Sequence, residues 1–226
     1  MKRRVWLSLV GVAVLMGSLL TVCSQPAMAN DGLAGGDVIR FFDKEGTIGG
    51  GEFGTAKLPN LSDEIFRTFC VQRDEYLDFN QNGFRIVGIT GNVQLQAQPL
   101  NFKTAWLYSQ FRAGTLTGYD YTANSAARIA SADALQSAIW HFENEPGYLN
   151  LGSLSAAAQG FVSLATVANP QNLGNVRVVN LVWETGRSGF AAGAAAQDVL
   201  TIVPEPAFFQ MGALLAFGGL GFARLR

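Results

Sequence analysis

Residues Asp133–Glu143 read DALQSAIWHFE, and the fold turns on them. The stretch reads as a helix, with Asp133 fitting an N-cap and Gln136 at the third helical position, where its amide can close a capping box onto the Asp133 N–H. Lys103–Ala113 and Ser155–Val167 are helical on either side, the second stopped by Asn169-Pro170. Further out the pattern changes to strand. Ile65–Gln72 is apolar and rich in β-branched and aromatic residues, and Phe84–Ala97 has Val93, Leu95 and Ala97 alternating, with a break near Gly91-Asn92. Beyond the helices, Val176–Trp183 and Asp198–Val203 are strand candidates. Strands, a helical block, then strands predict an α+β domain in which a β-sandwich or barrel-like sheet carries an inserted helical block.

The whole chain has 226 residues, 49% hydrophobic and 15% charged, with a formal net charge of -1. It is neither disordered by composition nor a basic nucleic-acid binder. The charges are unevenly placed: segment 30–204 holds 11 of the 16 basic and 16 of the 17 acidic residues, a net of about -5. His141 is the only histidine, which rules out a multi-histidine metal site, and no cofactor or metal is expected.

Both ends read as addresses. Lys2, Arg3 and Arg4 precede the apolar run Val5–Leu20, and Ala27-Met28-Ala29 offers small residues for cleavage. Residues 1–29 are therefore expected to be a secretory signal helix removed by signal peptidase. Using Cys23 as a lipidated residue is the alternative, but Val22 is bulky where such sites need Gly, Ala or Ser. At the other end Pro204-Glu205-Pro206 is followed by the uncharged stretch 207–223 and then Arg224-Leu225-Arg226. Seventeen residues at ~1.5 Å each give roughly 25 Å, the lower limit for spanning a bilayer, and the arginines would stay on the cytoplasmic side. A buried C-terminal helix is the other reading, against which Gly212, Gly218, Gly219 and Gly221 count. Segment 30–202 between these ends is expected to be a single extracellular domain.

The order Pro204-Glu205-Pro206, short apolar helix, basic end resembles the PEP-CTERM sorting signal of Gram-negative bacteria that export polysaccharide. The match covers residues 203–226. It implies transient anchoring in the inner membrane through 207–223, cutting by an exosortase near the Pro-Glu-Pro, and release to the cell surface, extracellular matrix or biofilm.

Two other motifs read as turns. Gly49-Gly50-Gly51 and Gly54 lack the Gly-Lys-Ser/Thr of a phosphate loop and read as a glycine-rich turn between strands. Asp78–Gly83 imitates the start of a calcium loop, but Ile89 stands where the bidentate Glu belongs, and Asn82-Gly83 signals a hairpin.

Without the signal segment, Cys70 is the only cysteine of an exported chain. Such a thiol is buried and inert, paired between chains, or chemically engaged. A glutamine projecting from a helix towards the strand of Cys70 offers it a partner: attack on the amide carbon expels ammonia and leaves an internal thioester. Phe69-Cys70-Val71 with Gln136-Ser137-Ala138-Ile139-Trp140 resembles the thioester domain of bacterial surface proteins. Thr104-Ala105-Trp106-Leu107-Tyr108 is similar to the aromatic helix between that family's two motifs, so the likeness spans roughly residues 65–145. Leu135 departs from it, standing where the family usually has Thr.

The resemblance implies covalent adhesion. An amine or hydroxyl on a polysaccharide-associated or protein target attacks the Gln136 carbonyl and frees the Cys70 thiol, a single stoichiometric turnover and not ordinary enzymology. Trp140 and Ile139, at i+4 and i+3 from Gln136, are candidates for shielding the bond from water. His141 is a candidate general base for the nucleophile, although i+5 puts it about 140° round the helix from Gln136. Glu143 and Glu145 are expected at a solvated helix end. Two alternatives stay open: a non-covalent structural or binding module of an exopolysaccharide matrix with Cys70 buried and reduced, and a hydrolase using Cys70 with His141. Trp106, Trp140 and Trp183 read equally well as core or as a ligand platform.

Overall fold

The computed structural model describes residues 31–60, 62–79, 83–94, 96–186 and 189–203. The signal segment 1–29, the sorting motif with its 207–223 stretch and arginines, and turn residues 80–82 lie outside them. Among the described residues no helix is long and apolar enough to cross a membrane.

Among the described residues the fold is mixed α+β: one six-stranded antiparallel sheet and three α-helices. Its strands are β1 (Val38–Asp43), β2 (Phe53–Lys57), β3 (Phe66–Thr68), β4 (Phe84–Thr90), β5 (Val176–Trp183) and β6 (Ala195–Ile202), in the spatial order β3-β2-β1-β4-β5-β6. Helices α1 (Phe102–Arg112), α2 (Ala126–Phe142) and α3 (Ala156–Ala168) form a block inserted between β4 and β5. Each is opened by a side-chain cap on a backbone N–H: Asn101 on Lys103, Ser125 on Arg128, Ser155 on Ala158. Helix α3 ends on Asn169 in the left-handed conformation, with Pro170 beyond it, as expected.

The two missed strands are β1 and β2, which flank the glycine-rich turn. Strand β4 ends at Thr90, seven residues short of the expected end, so Val93 and Ala97 alternate outside it. Helix α2 begins seven residues before Asp133. Ser125 is the cap, and the alanine-rich first turns carry the helix forward, so Asp133 and Gln136 sit mid-helix and the capping box does not form.

Strand β3 is shorter than expected because the chain changes partner within it. Residues 66–68 pair with β2, and from 69 to 71 the backbone bonds β6 instead: the Val71 N–H donates to Asp198 O at 3.0 Å and the Leu200 N–H to Phe69 O at 3.3 Å, with Cys70 opposite Val199. The two edges of the sheet thus meet at Cys70. Alternation there sends Phe69 and Val71 into a cluster with α1, α2 and α3, and Cys70 into a second one with Ile39, Phe41, Phe84, Leu181 and Trp183. From α2, Trp140 reaches that second cluster.

Candidate functional site

Because Cys70 faces Val199 between two hydrogen-bonded neighbours, its own N–H and C=O point away from β6. They meet the turn and α2. The Cys70 N–H lies 3.0 Å from Gly50 O and 3.1 Å from Gln136 Oε1, and Gln136 Nε2 donates to Cys70 O at 2.9 Å. Gln136 thus occupies the place of a neighbouring strand residue, with its carboxamide paired at two points to the residue that bears the thiol. Cys70 and Gln136 are both 0% exposed. Burial pushes the Cys70 thiol well above its ordinary pKa, so the sulfur rests protonated.

The turn between β1 and β2 covers this pair. Asp133, one helical turn before Gln136, accepts from Thr47 N and Thr47 Oγ1 at 2.6 Å each and from Ile48 N at 3.2 Å. That clasp draws the turn down until Gly50 touches Gln136: a Cβ at position 50 would stand 2.3 Å from Gln136 Cγ and 2.6 Å from both Gln136 Cδ and Trp140 Cη2. Only glycine allows such an approach. The run of glycines was legible as a turn; its role as a cover pressed on Gln136 was not, because that depends on what lies opposite.

The other expected site residues divide. Trp140 packs in the cluster that contains Cys70, while Ile139 packs in the helical cluster on the far side, so Trp140 alone of the two is on the thiol's side. His141 Nδ1 meets the Tyr148 carbonyl oxygen at 2.7 Å, which makes that nitrogen the donor, and no hydrogen bond joins it to Cys70 among the described residues. Trp183 is core, stacked on Phe190, and Trp106 is partly buried against the helical cluster.

Glu143 and Glu145 are not solvated: they are 3% and 2% exposed. The chain folds back after α2, and Glu143 accepts from the Asn101 N–H while Glu145 accepts from Gln96 Nε2. Burial pushes Glu143 up to about 7. Asp198 on β6 is likewise enclosed by neutral donors, Gln94 N at 2.6 Å and Asn180 Nδ2 at 2.9 Å, and burial pushes it up to about 6. The charged groups around Glu52 are compensated: Arg128 grips both its oxygens, Arg67 and Tyr119 add one bond each, and Arg67 also binds Glu45. No group of three or more His, Cys, Asp or Glu able to hold a metal occurs among the described residues. The chemistry available is that of a buried thiol and a carboxamide. No protein-family model matches the chain, and neither does any curated protein or solved structure.

Proposed function

We propose that this is an exported surface or matrix protein whose domain closes an internal thioester between Cys70 and Gln136 and uses it once, to capture an amine or hydroxyl on a target. The observation that carries the reading is the two-point pairing of the Gln136 carboxamide with the Cys70 backbone. In the closing step the Cys70 sulfur bonds to Gln136 Cδ, the Cδ–Nε2 bond breaks, the thiol proton passes to the nitrogen, and ammonia leaves. The Cys70 N–H already on Oε1 would stabilise negative charge developing on that oxygen. Capture reverses the roles. The target's amine or hydroxyl bonds to Cδ, the bond from Cδ to the Cys70 sulfur breaks, the nucleophile's proton goes to that sulfur, and the thiol is restored. Trp140 and the glycine turn exclude water from the bond in the meantime.

Delivery rests on the two ends of the chain. Export through the inner membrane of a Gram-negative bacterium, signal-peptidase cleavage, transient anchoring by 207–223 and exosortase cutting near Pro204-Glu205-Pro206 make up that part of the proposal, and finer features such as the signal and membrane helices belong to it.

A second reading has an observation of its own. The same pair of hydrogen bonds completes the backbone pairing of Cys70 without any covalent step, and the buried thiol is held in its unreactive form. The chain would then be a non-covalent matrix module. Intact mass of the exported protein separates the two. The covalent reading expects a mass lower than the sequence by one ammonia, full sequence mass in Cys70→Ala, and addition of methylamine to the wild type. Full sequence mass in the wild type, with a thiol that labels on denaturation alone, refutes it.

A further inference from the structure

Beside the glycine turn lies a pocket of about 340 Å³, bounded by the turn, the segment after Cys70 and the last turn of α2. We propose that it binds a neutral pyranose ring of a polysaccharide, a role that does not require the Cys70–Gln136 bond.

The lining carries the assignment. Trp140, Tyr148 and Tyr76 bring three aromatic rings to one cavity, and Trp140 and Tyr148 already pack against each other with centroids 4.8 Å apart. Aromatic faces suit the C–H face of a sugar, which is apolar although its edge is not. Among these rings stand one guanidinium, one carboxylate and one carboxamide, those of Arg73, Glu75 and Gln197. Together they offer donors and acceptors with no net charge. An anionic ligand would face Glu75 and a cationic one Arg73, whereas hydroxyls, which both donate and accept, can satisfy all three. The volume falls within the small-molecule range and has room for a hexose ring.

One charged group in the lining lacks a partner. Glu75 makes neither hydrogen bond nor ion pair among the described residues, while Arg73 is steadied from behind by the Pro146 carbonyl at 2.9 Å and by the Tyr148 ring. Ile48 and Gly49 of the clasped turn border the same cavity. A sugar seated there would therefore lie next to the turn that covers Gln136, which gives the proposed capture step its local target and gives the non-covalent module its ligand.

The test is calorimetric titration of the full-length exported chain, held in a detergent that carries no sugar, with cellohexaose, maltohexaose and hexagalacturonate. Saturable binding of a neutral hexasaccharide is expected, weakened about tenfold or more in Tyr76→Ala and in Glu75→Ala. Tyr76 is 62% exposed, so its truncation leaves the core intact. Cys70→Ala, which cannot form the thioester, should bind as the wild type does, so that failure of the covalent reading and failure of this one are told apart. No saturable binding of either neutral sugar up to about 10 mM overturns the proposal, as does binding unchanged in both lining variants or a preference for the galacturonate.

Discussion

Gly50→Ala tests the geometry of the site directly. The added methyl would lie 2.3 Å from Gln136 Cγ and 2.6 Å from Gln136 Cδ and Trp140 Cη2, about 1 Å or more inside the usual ~3.5–4.0 Å carbon separation. Neither neighbour can yield cheaply. Gln136 is pinned at both ends of its carboxamide, and the Trp140 ring is packed in the core. Overpacking of this kind costs about 1–3 kcal/mol, and loss of the Nε2 bond to Cys70 O adds about 1. The Cys70 N–H keeps Gly50 O, so a second bond need not be counted. The sum, about 2–4 kcal/mol, corresponds to a fall in Tm of roughly 4–16 °C for a domain of this size. Urea unfolding of Gly50→Ala, Gln136→Ala and the double variant, all in a Cys70→Ala background that keeps Gln136 as the free carboxamide, then isolates the contact. Removing Gln136 takes away two of the three clashes, so the double variant should be at least about 1 kcal/mol more stable than the sum of the singles. A Gly50→Ala effect below about 0.5 kcal/mol, or strictly additive behaviour, would show that the turn does not press on Gln136.

Three further outcomes follow from neighbouring groups. Asp133→Ala removes the acceptor for Thr47 and Ile48 and should speed hydrogen exchange of amides 46–51 at least tenfold, with the core strands unaffected. Asp198 and Glu143 have folded pKa values of about 6 and about 7, raised by burial above ordinary carboxylate values, so the folded state retains protons that the unfolded chain has released. Their contribution is full below about pH 4 and is lost as pH rises to about 7, about 3 kcal/mol for each; Asp198→Asn should flatten its share of that slope in urea titrations across the range. Arg128→Met strips Glu52 of its two-point partner and leaves a buried carboxylate dependent on Arg67 and Tyr119, costing about 3–5 kcal/mol by the same assay.

The parts of the fold legible in the sequence are those whose pattern is local. Strand β5 and helix α3 carry uninterrupted apolar periodicity and a plain stop, and their expected limits agree with the structure to within about a residue. Strand β2 does not. It is five residues long with Gly54 inside it, and it is held by backbone pairing with β1 and β3 on either side. The start of α2 was misplaced because Asp133 and Ser125 are equally good caps by residue type, and the intervening alanines show little amphipathic period although they favour helix strongly. Burial of Glu143 and Glu145 was hidden for another reason. Charged side chains after a helix normally face water, and here the loop carrying Gln96 and Asn101 covers them.

The pairing of Cys70 with Gln136 was expected from the wrong local geometry and arises from a different one. At a helix end, the amide of Gln136 would have had the Asp133 N–H as a competing partner. In mid-helix the backbone is already satisfied by its own ladder, so a buried carboxamide must find partners across the packing. Cys70 offers them because its strand changes neighbours there: one side is bonded to β6, and on the other the glycine turn supplies a carbonyl to its N–H but no donor to its C=O. Gln136 Nε2 supplies that donor. The need that brings the two residues together is therefore one of hydrogen bonding. Thioester closure would give up the Nε2 bond while keeping the Cys70 N–H on Oε1. A chain that forms the thioester must then hold Cys70 O without its donor, and the covalent bond itself, shielded by Trp140 and the clasped turn, is what would keep the strand and α2 together.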